Sequence, residues 1–389
     1  MRVPALVTRL RPFSSTIFAE MTALATRHGA VNLGQGFPDT DGPVSMLDAA
    51  KTAIDSGVNQ YPPGPGVPEL RQAIAEHRSR YGTEYDPDTE VLVTVGATEA
   101  IAASLLGLVE PGDEVVLIEP YYDSYAASVA LAGATRRTVG LVEDASGRLG
   151  LDVAALTAAI GPRTRALLVN TPHNPTGTVF TRSELDAIAR LAVEHDLVVI
   201  TDEVYEHLVF DDASHVPLAA LPGMRERTVT ISSAGKTFNV TGWKIGWACA
   251  PAELLGAVRA AKQFLTFVGG APFQPAVAHA LRTELEWVEK LRISLQDKRS
   301  RLADGLRAAG FEVRSSEGTY FITADVRPLG FTDGADFCRA LPERAGVAAV
   351  PVQVFTDHPE QWKHLVRFAF CKRDEVLDEA IRRLRGLSG

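Results

Sequence analysis

The sequence lacks the marks of several large protein classes. It has only three cysteines, Cys249, Cys338 and Cys371, far apart and without a Cys-x-x-Cys pair, so no disulfide framework is expected and a reducing cytoplasm fits. It has no basic excess: 39 Lys and Arg stand against 48 Asp and Glu, a formal charge of −9, which argues against a general nucleic-acid binder. No apolar run approaches 18 residues, so no membrane span is expected. The first 30 residues carry no continuous apolar stretch, so no signal peptide is expected either. Internal repeats and low-complexity tracts are missing. The glycine-rich stretch Val31 to Pro38 is not a Gly-x-Gly-x-x-Gly fingerprint, because no strand–helix context surrounds it, and alone it reads as a turn.

What remains is an ordinary globular balance, 46% apolar and 22% charged over 389 residues, enough for about two domains with a well-buried core. Helices are expected at Ser15 to His28, 44–56 and Pro68 to Tyr81. From Val91 the pattern alternates. Short apolar strands (Val91 to Val95, Val115 to Ile118, Ala166 to Val169, Leu197 to Thr201, Thr228 to Ile231, Ile245 to Cys249) are separated by amphipathic helices. Gly96-Ala97-Thr98 reads as a tight turn. The alternation implies an α/β fold with a mostly parallel sheet covered on both faces, and ligand sites at the carboxyl ends of its strands. Beyond Pro251 the pattern changes. One long helical stretch, Ala276 to Ala309, leads into an α+β part with a strand at His364 to Cys371 and a last helix at Glu375 to Leu384.

The most informative stretch is Ser232 to Lys244. Small hydroxyl residues and Lys236 lie between two apolar strands, with Phe238, Trp243 and Trp247 close by. A solvated loop lysine is the ordinary reading. Burial among aromatics would instead lower the amine's pKa and make it a nucleophile toward carbonyls, a Schiff-base lysine. Asp202 ends an apolar strand, where it could also be a helix N-cap, and Tyr205 follows three residues later. Asn174 lies in an Asn-Pro turn.

Together, Asn174-Pro175-Thr176-Gly177, Thr201-Asp202-Glu203-Val204-Tyr205, Ser232-Ser233-Ala234-Gly235-Lys236 with Lys244, and Arg367 in Val366-Arg367-Phe368 resemble the class I/II aminotransferases, fold-type I enzymes dependent on pyridoxal 5'-phosphate. Order and spacing match over essentially the whole chain. The resemblance implies a seven-stranded, mostly parallel sheet in a large domain (46–285), a smaller domain (286–389), and an N-terminal arm (1–45) that joins the smaller one. It implies Lys236 as the Schiff-base lysine and proton-transfer base, and Asp202 as partner of the pyridine nitrogen. Tyr205 and Asn174 would bond the ring's phenolic oxygen, and Tyr122 would stack on the ring. Ala97, Thr98, Ser233 and Lys244 would hold the phosphate, with lysine where many relatives have arginine. Arg367 and Gly36 would take the substrate carboxylate. No metal is implied. A homodimer with shared active sites is implied, in which Tyr61 reaches the neighbouring subunit's phosphate.

The stretch from Val31 to Asp39 resembles the kynurenine, glutamine and methionine aminotransferase branch, with Phe18 and, from the partner subunit, Phe267 at its aromatic positions; Val268 stands where histidine is common. Asn59 to Glu69, Val93 to Ala103 and Ser232 to Ala250 resemble actinobacterial N-succinyldiaminopimelate aminotransferases. The expected reaction moves an amino group from an amino acid to a 2-oxo acid, with N-succinyl-diaminopimelate and 2-oxoglutarate/glutamate as the expected pair. A pyridoxal-phosphate-dependent β-lyase is the alternative from the same pocket. A non-catalytic cofactor-binding regulator would need a DNA-binding domain, for which no basic helix-turn-helix segment is present.

Overall fold

The computed structural model describes residues 6–13, 17–145 and 147–388. Ser15, the expected start of the first helix, lies outside them; that helix is described from Ile17 to His28.

The main sheet has eight strands. In spatial order they are Val91–Val95, Ile245–Cys249, Thr228–Ser233, Val198–Asp202, Thr164–Asn170, Glu114–Glu119, Thr135–Glu143 and Leu149–Leu151. The middle of the sheet is parallel. Ile245–Cys249 runs antiparallel to both its neighbours. The eighth strand, of three residues, adds an antiparallel edge to the seven expected. The central strands are rich in Val, Ile and Leu and are buried along their whole length, because helices cover both faces. The covering helix Arg182–Glu194 shows how sequence sets this up. Thr181 and Glu184 close a capping box at its start, and Leu185, Ile188, Leu191 and Ala192 bury one side.

A second, antiparallel sheet orders Glu312–Val313, Phe321–Asp325, Leu365–Ala369 and Val350–Pro351. Met21 and Leu33 near the N-terminus share an apolar cluster with Leu302, Phe337 and Val366 beside this sheet. Val31–Asn32 pairs with Val347–Ala348.

Two sequence expectations are corrected. Gly96, Ala97 and Thr98 are not a separate turn: they open the helix Gly96–Leu108, with Gly96 at φ 75° making the change of direction. The single helix over 276–309 is two, Phe273–Thr283 and Leu285–Ala308, because Glu284 leaves helical dihedrals at φ −111°, ψ 19°. The segment after Ser233 is one helical turn, Ala234–Thr237, followed by a 3-10 turn, Thr241–Trp243. The strand Thr135–Glu143 and the helices Val153–Ala159 and Ala252–Lys262 were not expected from the sequence.

Behind the strand ends lies a buried ion cluster. Arg78, on the helix Pro68–Ser79, is fully buried and donates from Nη1 to Glu206 and from Nη2 to Glu203, each at 2.9 Å. His215 Nε2 lies 3.1 Å from Glu203, and Ser232 Oγ donates to Glu206 at 2.7 Å. Burial is the largest influence and opposes ionisation of both carboxyls, but Arg78 together with His215 at Glu203, and with His77, His207 and Arg80 at Glu206, holds both below the usual range. These glutamates bracket Val204 and Tyr205 and sit next to Asp202, so the cluster fixes the turn that carries them. Arg78→Ala would leave two carboxylates buried without their cation. Urea unfolding should show a loss of about 3–5 kcal/mol; a loss below about 1 kcal/mol would show that the cluster does not hold this turn.

Candidate active site

The carboxyl ends of the main strands open onto a cavity of about 370 Å³. Asp202 and Ser233 end their strands, Asn174 follows Asn170, and the helix Gly96–Leu108 begins where Val91–Val95 ends. Every residue singled out from the sequence lines this cavity except Tyr61 and Phe267: Phe18, Gly36, Ala97, Thr98, Tyr122, Asn174, Asp202, Tyr205, Ser233, Lys236, Lys244 and Arg367. Tyr61 (82% exposed) and Phe267 (50% exposed) instead pack edge-to-face on each other at 5.6 Å on the outer surface.

Lys236 projects into this cavity from the one-turn helix. Its Nζ donates to Tyr320 Oη at 2.8 Å. Burial lowers its pKa to about 8; Cys371 and Asp202 oppose that shift, whereas Arg367 and Lys244 add to it. Asp202 faces it, buried, with Oδ2 accepting from Tyr125 at 2.6 Å and Oδ1 from the Val204 amide at 3.2 Å. Burial raises the Asp202 pKa, and these two hydrogen bonds counter the rise.

Arg367 is buried in the strand Leu365–Ala369 among the rings of Phe321, Phe355 and Phe18, 4.0, 5.2 and 5.5 Å from its Cζ. Its Nη1 donates to Asn174 Oδ1 and its Nη2 to Gly34 O, both at 2.9 Å. Its Nε has no partner among the described residues. Among the described residues no carboxylate lies within ion-pair distance of it, and burial lowers its pKa to about 10. A buried guanidinium without an anion is unfavourable unless one is supplied from outside. Because arginine can only donate, it turns the Asn174 oxygen toward itself and the amide nitrogen away.

At the other end of the cavity the first turn of Gly96–Leu108 presents its free amides at Ala97 and Thr98, beside Ser233. Lys244, in the left-handed region at φ 55°, lays its side chain over Gly96. A Cβ added at Gly96 would lie 2.9 Å from Lys244 Nζ. The cavity thus has an anion-binding end with a cation and free amides, a carboxylate on its wall, a buried amine, and a second anion site at Arg367.

Tyr125, Tyr320, Gln35 and Phe321 belong to this site but were not singled out from the sequence. Tyr125 sits one helical turn beyond Tyr122, and that spacing is the only signal pointing to it. Tyr320 carries none, since it acts on Lys236 from the other sheet.

The Lys236 pKa of about 8 lies below the ordinary 10.5. Below pH 8 the amine is charged in both folded and unfolded chains, and the burial penalty is fully present. It fades as pH rises from 8 to 10.5, where only the unfolded chain stays charged. With nothing bound in the cavity, Lys236→Met should therefore melt at a higher temperature than wild type at pH 7. The gain should vanish near pH 10.5, and a pH-independent difference between the two proteins would contradict a buried, depressed amine.

Comparison with known proteins agrees with this geometry. The family model for aminotransferase class I and II matches residues 28–384. A probable N-succinyldiaminopimelate aminotransferase, DapC, of Mycobacterium tuberculosis is 65% identical over 391 residues, covering 98% of each chain. The methionine aminotransferase of Escherichia coli is 40% identical over 380 residues, 97% of each. The structure of N-succinyldiaminopimelate aminotransferase from Mycobacterium tuberculosis superposes with a TM-score of 0.97 at 66% identity, covering 98% of this chain and 100% of that one. This chain belongs to the class I and II aminotransferase family.

Proposed function

We propose that the protein is a pyridoxal-phosphate-dependent aminotransferase that exchanges an amino group between the N-succinyl-LL-diaminopimelate and 2-oxoglutarate/glutamate pairs, with glutamate as the donor in the synthesis of diaminopimelate and lysine. The observation that carries the reaction type is the pair of buried cations, Lys236 and Arg367, in one cavity with Asp202 and, among the described residues, with no carboxylate on either cation within ion-pair distance. The 65% identity to the probable N-succinyldiaminopimelate aminotransferase supports the choice of substrate.

The cavity's residues fit the cofactor. The amides of Ala97 and Thr98, the Ser233 hydroxyl and the Lys244 ammonium suit a phosphate, although lysine offers a point charge without arginine's fork. Asp202, with both oxygens already fixed, would hold a proton on the pyridine nitrogen. The Tyr205 hydroxyl and the Asn174 amide nitrogen would donate to the ring's phenolic oxygen. Tyr122 would cover one ring face. When bound, pyridoxal phosphate supplies an electron sink that makes the substrate's Cα proton removable. Lys236 Nζ would be the group that takes up that proton and gives it back. A pKa near 8 leaves a useful fraction of neutral amine at physiological pH, whereas an ordinary lysine would leave almost none. Arg367, with its free Nε and its aromatic surround, would bind the α-carboxylate together with the Gly36 amide, and Phe18 would border the side chain.

A homodimer accounts for Tyr61 and Phe267: exposed on one chain, they would enter the partner's cavity. The same reading divides the chain into a cofactor-binding part (46–285) and a smaller part (286–389) joined by the N-terminal residues 1–45. The cluster that unites Met21 and Leu33 with Leu302 and Val366 supports joining the N-terminal residues to the smaller part; it also takes in Val204, Tyr205, Leu208 and Phe210 of the larger one. The proposed location is the cytoplasm. Methionine or kynurenine as donor is the second reading, favoured by the 40% identity to the methionine aminotransferase and by Phe18 in the cavity.

Measuring kcat/KM for N-succinyl-LL-diaminopimelate, methionine, kynurenine and glutamine with 2-oxoglutarate tests the reading. The first donor should exceed the others by at least about tenfold, with glutamate formed one-for-one with 2-oxo acid. A higher value for methionine or kynurenine would replace the substrate. Pyruvate and ammonia from cystathionine, without any 2-oxo acid, would replace the reaction by β-elimination.

A further inference from the structure

We infer that Tyr320 is a positioning residue for the proposed transamination, and so rests on that reading: its phenol fixes the direction of the Lys236 amine and links it to the Gly36 segment. The hydroxyl has three neighbours, one of them the Tyr205 side chain, which is hydrogen-bonded to it. Lys236 Nζ lies 2.8 Å away and Gly36 O 2.6 Å away. A carbonyl can only accept, so the phenol's single proton goes to Gly36, and the phenol oxygen must accept from the amine. One N–H of Lys236 therefore points at Tyr320. In the neutral amine, the lone pair that takes a proton then points elsewhere, with the cavity on that side.

Packing leaves the ring no freedom to turn away. Tyr320 is buried, with Tyr205 edge-on at 5.2 Å and Phe321 at 4.8 Å. Its carbonyl accepts from Phe370 N at 2.9 Å. Gly36 is pressed against the same group: a Cβ there would lie 2.3 Å from Phe321 Cζ and 3.2 Å from a Tyr320 ring carbon. Any side chain at 36 would push the segment off the phenol.

The backbone before Tyr320 is strained. Thr319 has φ 67°, a conformation that a β-branched residue rarely adopts, and it is fully buried. It is held there by Thr319 N donating to Leu208 O at 2.8 Å and by Thr319 Oγ1 accepting from Phe321 N at 3.0 Å. Gly318 N reaches Gly177 O at 2.8 Å. Tyr320 is thus anchored to the loop that carries Asn174 and to the segment just after Tyr205. Phenylalanine would satisfy every packing contact of the ring. Only the hydroxyl joins the amine to the Gly36 segment.

The charged and titratable groups facing Lys236 are Asp202, Cys371, Arg367 and Lys244, with the Tyr205 ring 5.8 Å from Nζ. None of these groups is itself altered in Tyr320→Phe; the Tyr205 side chain loses its hydrogen bond to the phenol, and Tyr205→Phe, read in the cofactor-free arm, separates that loss. The test has two arms, and a thermal melt within a few degrees of wild type shows that the fold is kept. In the protein without cofactor, acylation of Lys236 by a small reagent, followed by mass spectrometry against pH, reads the amine's midpoint. Losing an acceptor disfavours the ammonium, so the midpoint should fall by about half a pH unit or more. In the holoenzyme, kcat should fall on the order of tenfold while KM for the amino donor stays within about threefold, because the proton-transfer group is misdirected and the carboxylate site is intact. An unchanged midpoint with unchanged kcat would reduce Tyr320 to packing. A raised KM with kcat and midpoint unchanged would assign it to Gly36 alone. If wild type transaminates none of the donors, the underlying reading fails, and the midpoint still decides whether Tyr320 holds the amine.

Discussion

Two cations are held out of water in one cavity, and among the described residues neither has a carboxylate within ion-pair distance. Lys236 has a phenol to donate to; Arg367 has an amide oxygen, a backbone carbonyl and three aromatic rings. Desolvating such groups is unfavourable by several kcal/mol each unless a counter-charge arrives. The fold pays that penalty in advance, which makes the cavity receptive to an anionic substrate and leaves one amine ready to lose its proton. An aminotransferase needs both conditions.

The rest of the structure holds these groups at fixed positions. The parallel strands end at one edge and deliver Asp202, Ser233 and the start of the helix Gly96–Leu108 to a common rim. The Arg78 cluster locks Glu203 and Glu206 on either side of Val204 and Tyr205 from behind, and Ser232 joins it next to Ser233. From the other side, the antiparallel sheet brings Arg367 in line with Asn174, and the strained turn at Thr319 brings Tyr320 to Lys236. Two separate sheets therefore determine one active-site geometry, and the residues that join them are hydrogen-bonded directly to the amine or the guanidinium.

Much of this was legible in the sequence, for physical reasons. Val91–Val95 and Ile245–Cys249 have the same bounds in sequence and structure, because each is a short, almost wholly apolar run, Thr94 being the single hydroxyl residue in the two. Thr135–Glu143 was hidden: Arg136, Arg137 and its other exposed positions break the apolar run near the sheet edge. The break at Glu284 carries neither Gly nor Pro to announce it. Gly96 was read as a turn because its left-handed φ and the helix that follows use the same residue type. The family resemblance pointed to the motif residues, and the fold brings most of them together in one cavity because they stand at strand ends. Tyr125 and Tyr320 were not, since each acts on a partner 77 and 84 positions away that only the fold brings near.

The central claim is that Lys236 is the amine that engages the cofactor. Incubating the protein with pyridoxal phosphate, reducing with borohydride and mapping the modified peptide by mass spectrometry tests it directly. A single addition on the peptide containing Lys236 is the predicted result. Modification of Lys244, Lys262 or a surface lysine in its place, with Lys236 untouched, would contradict it.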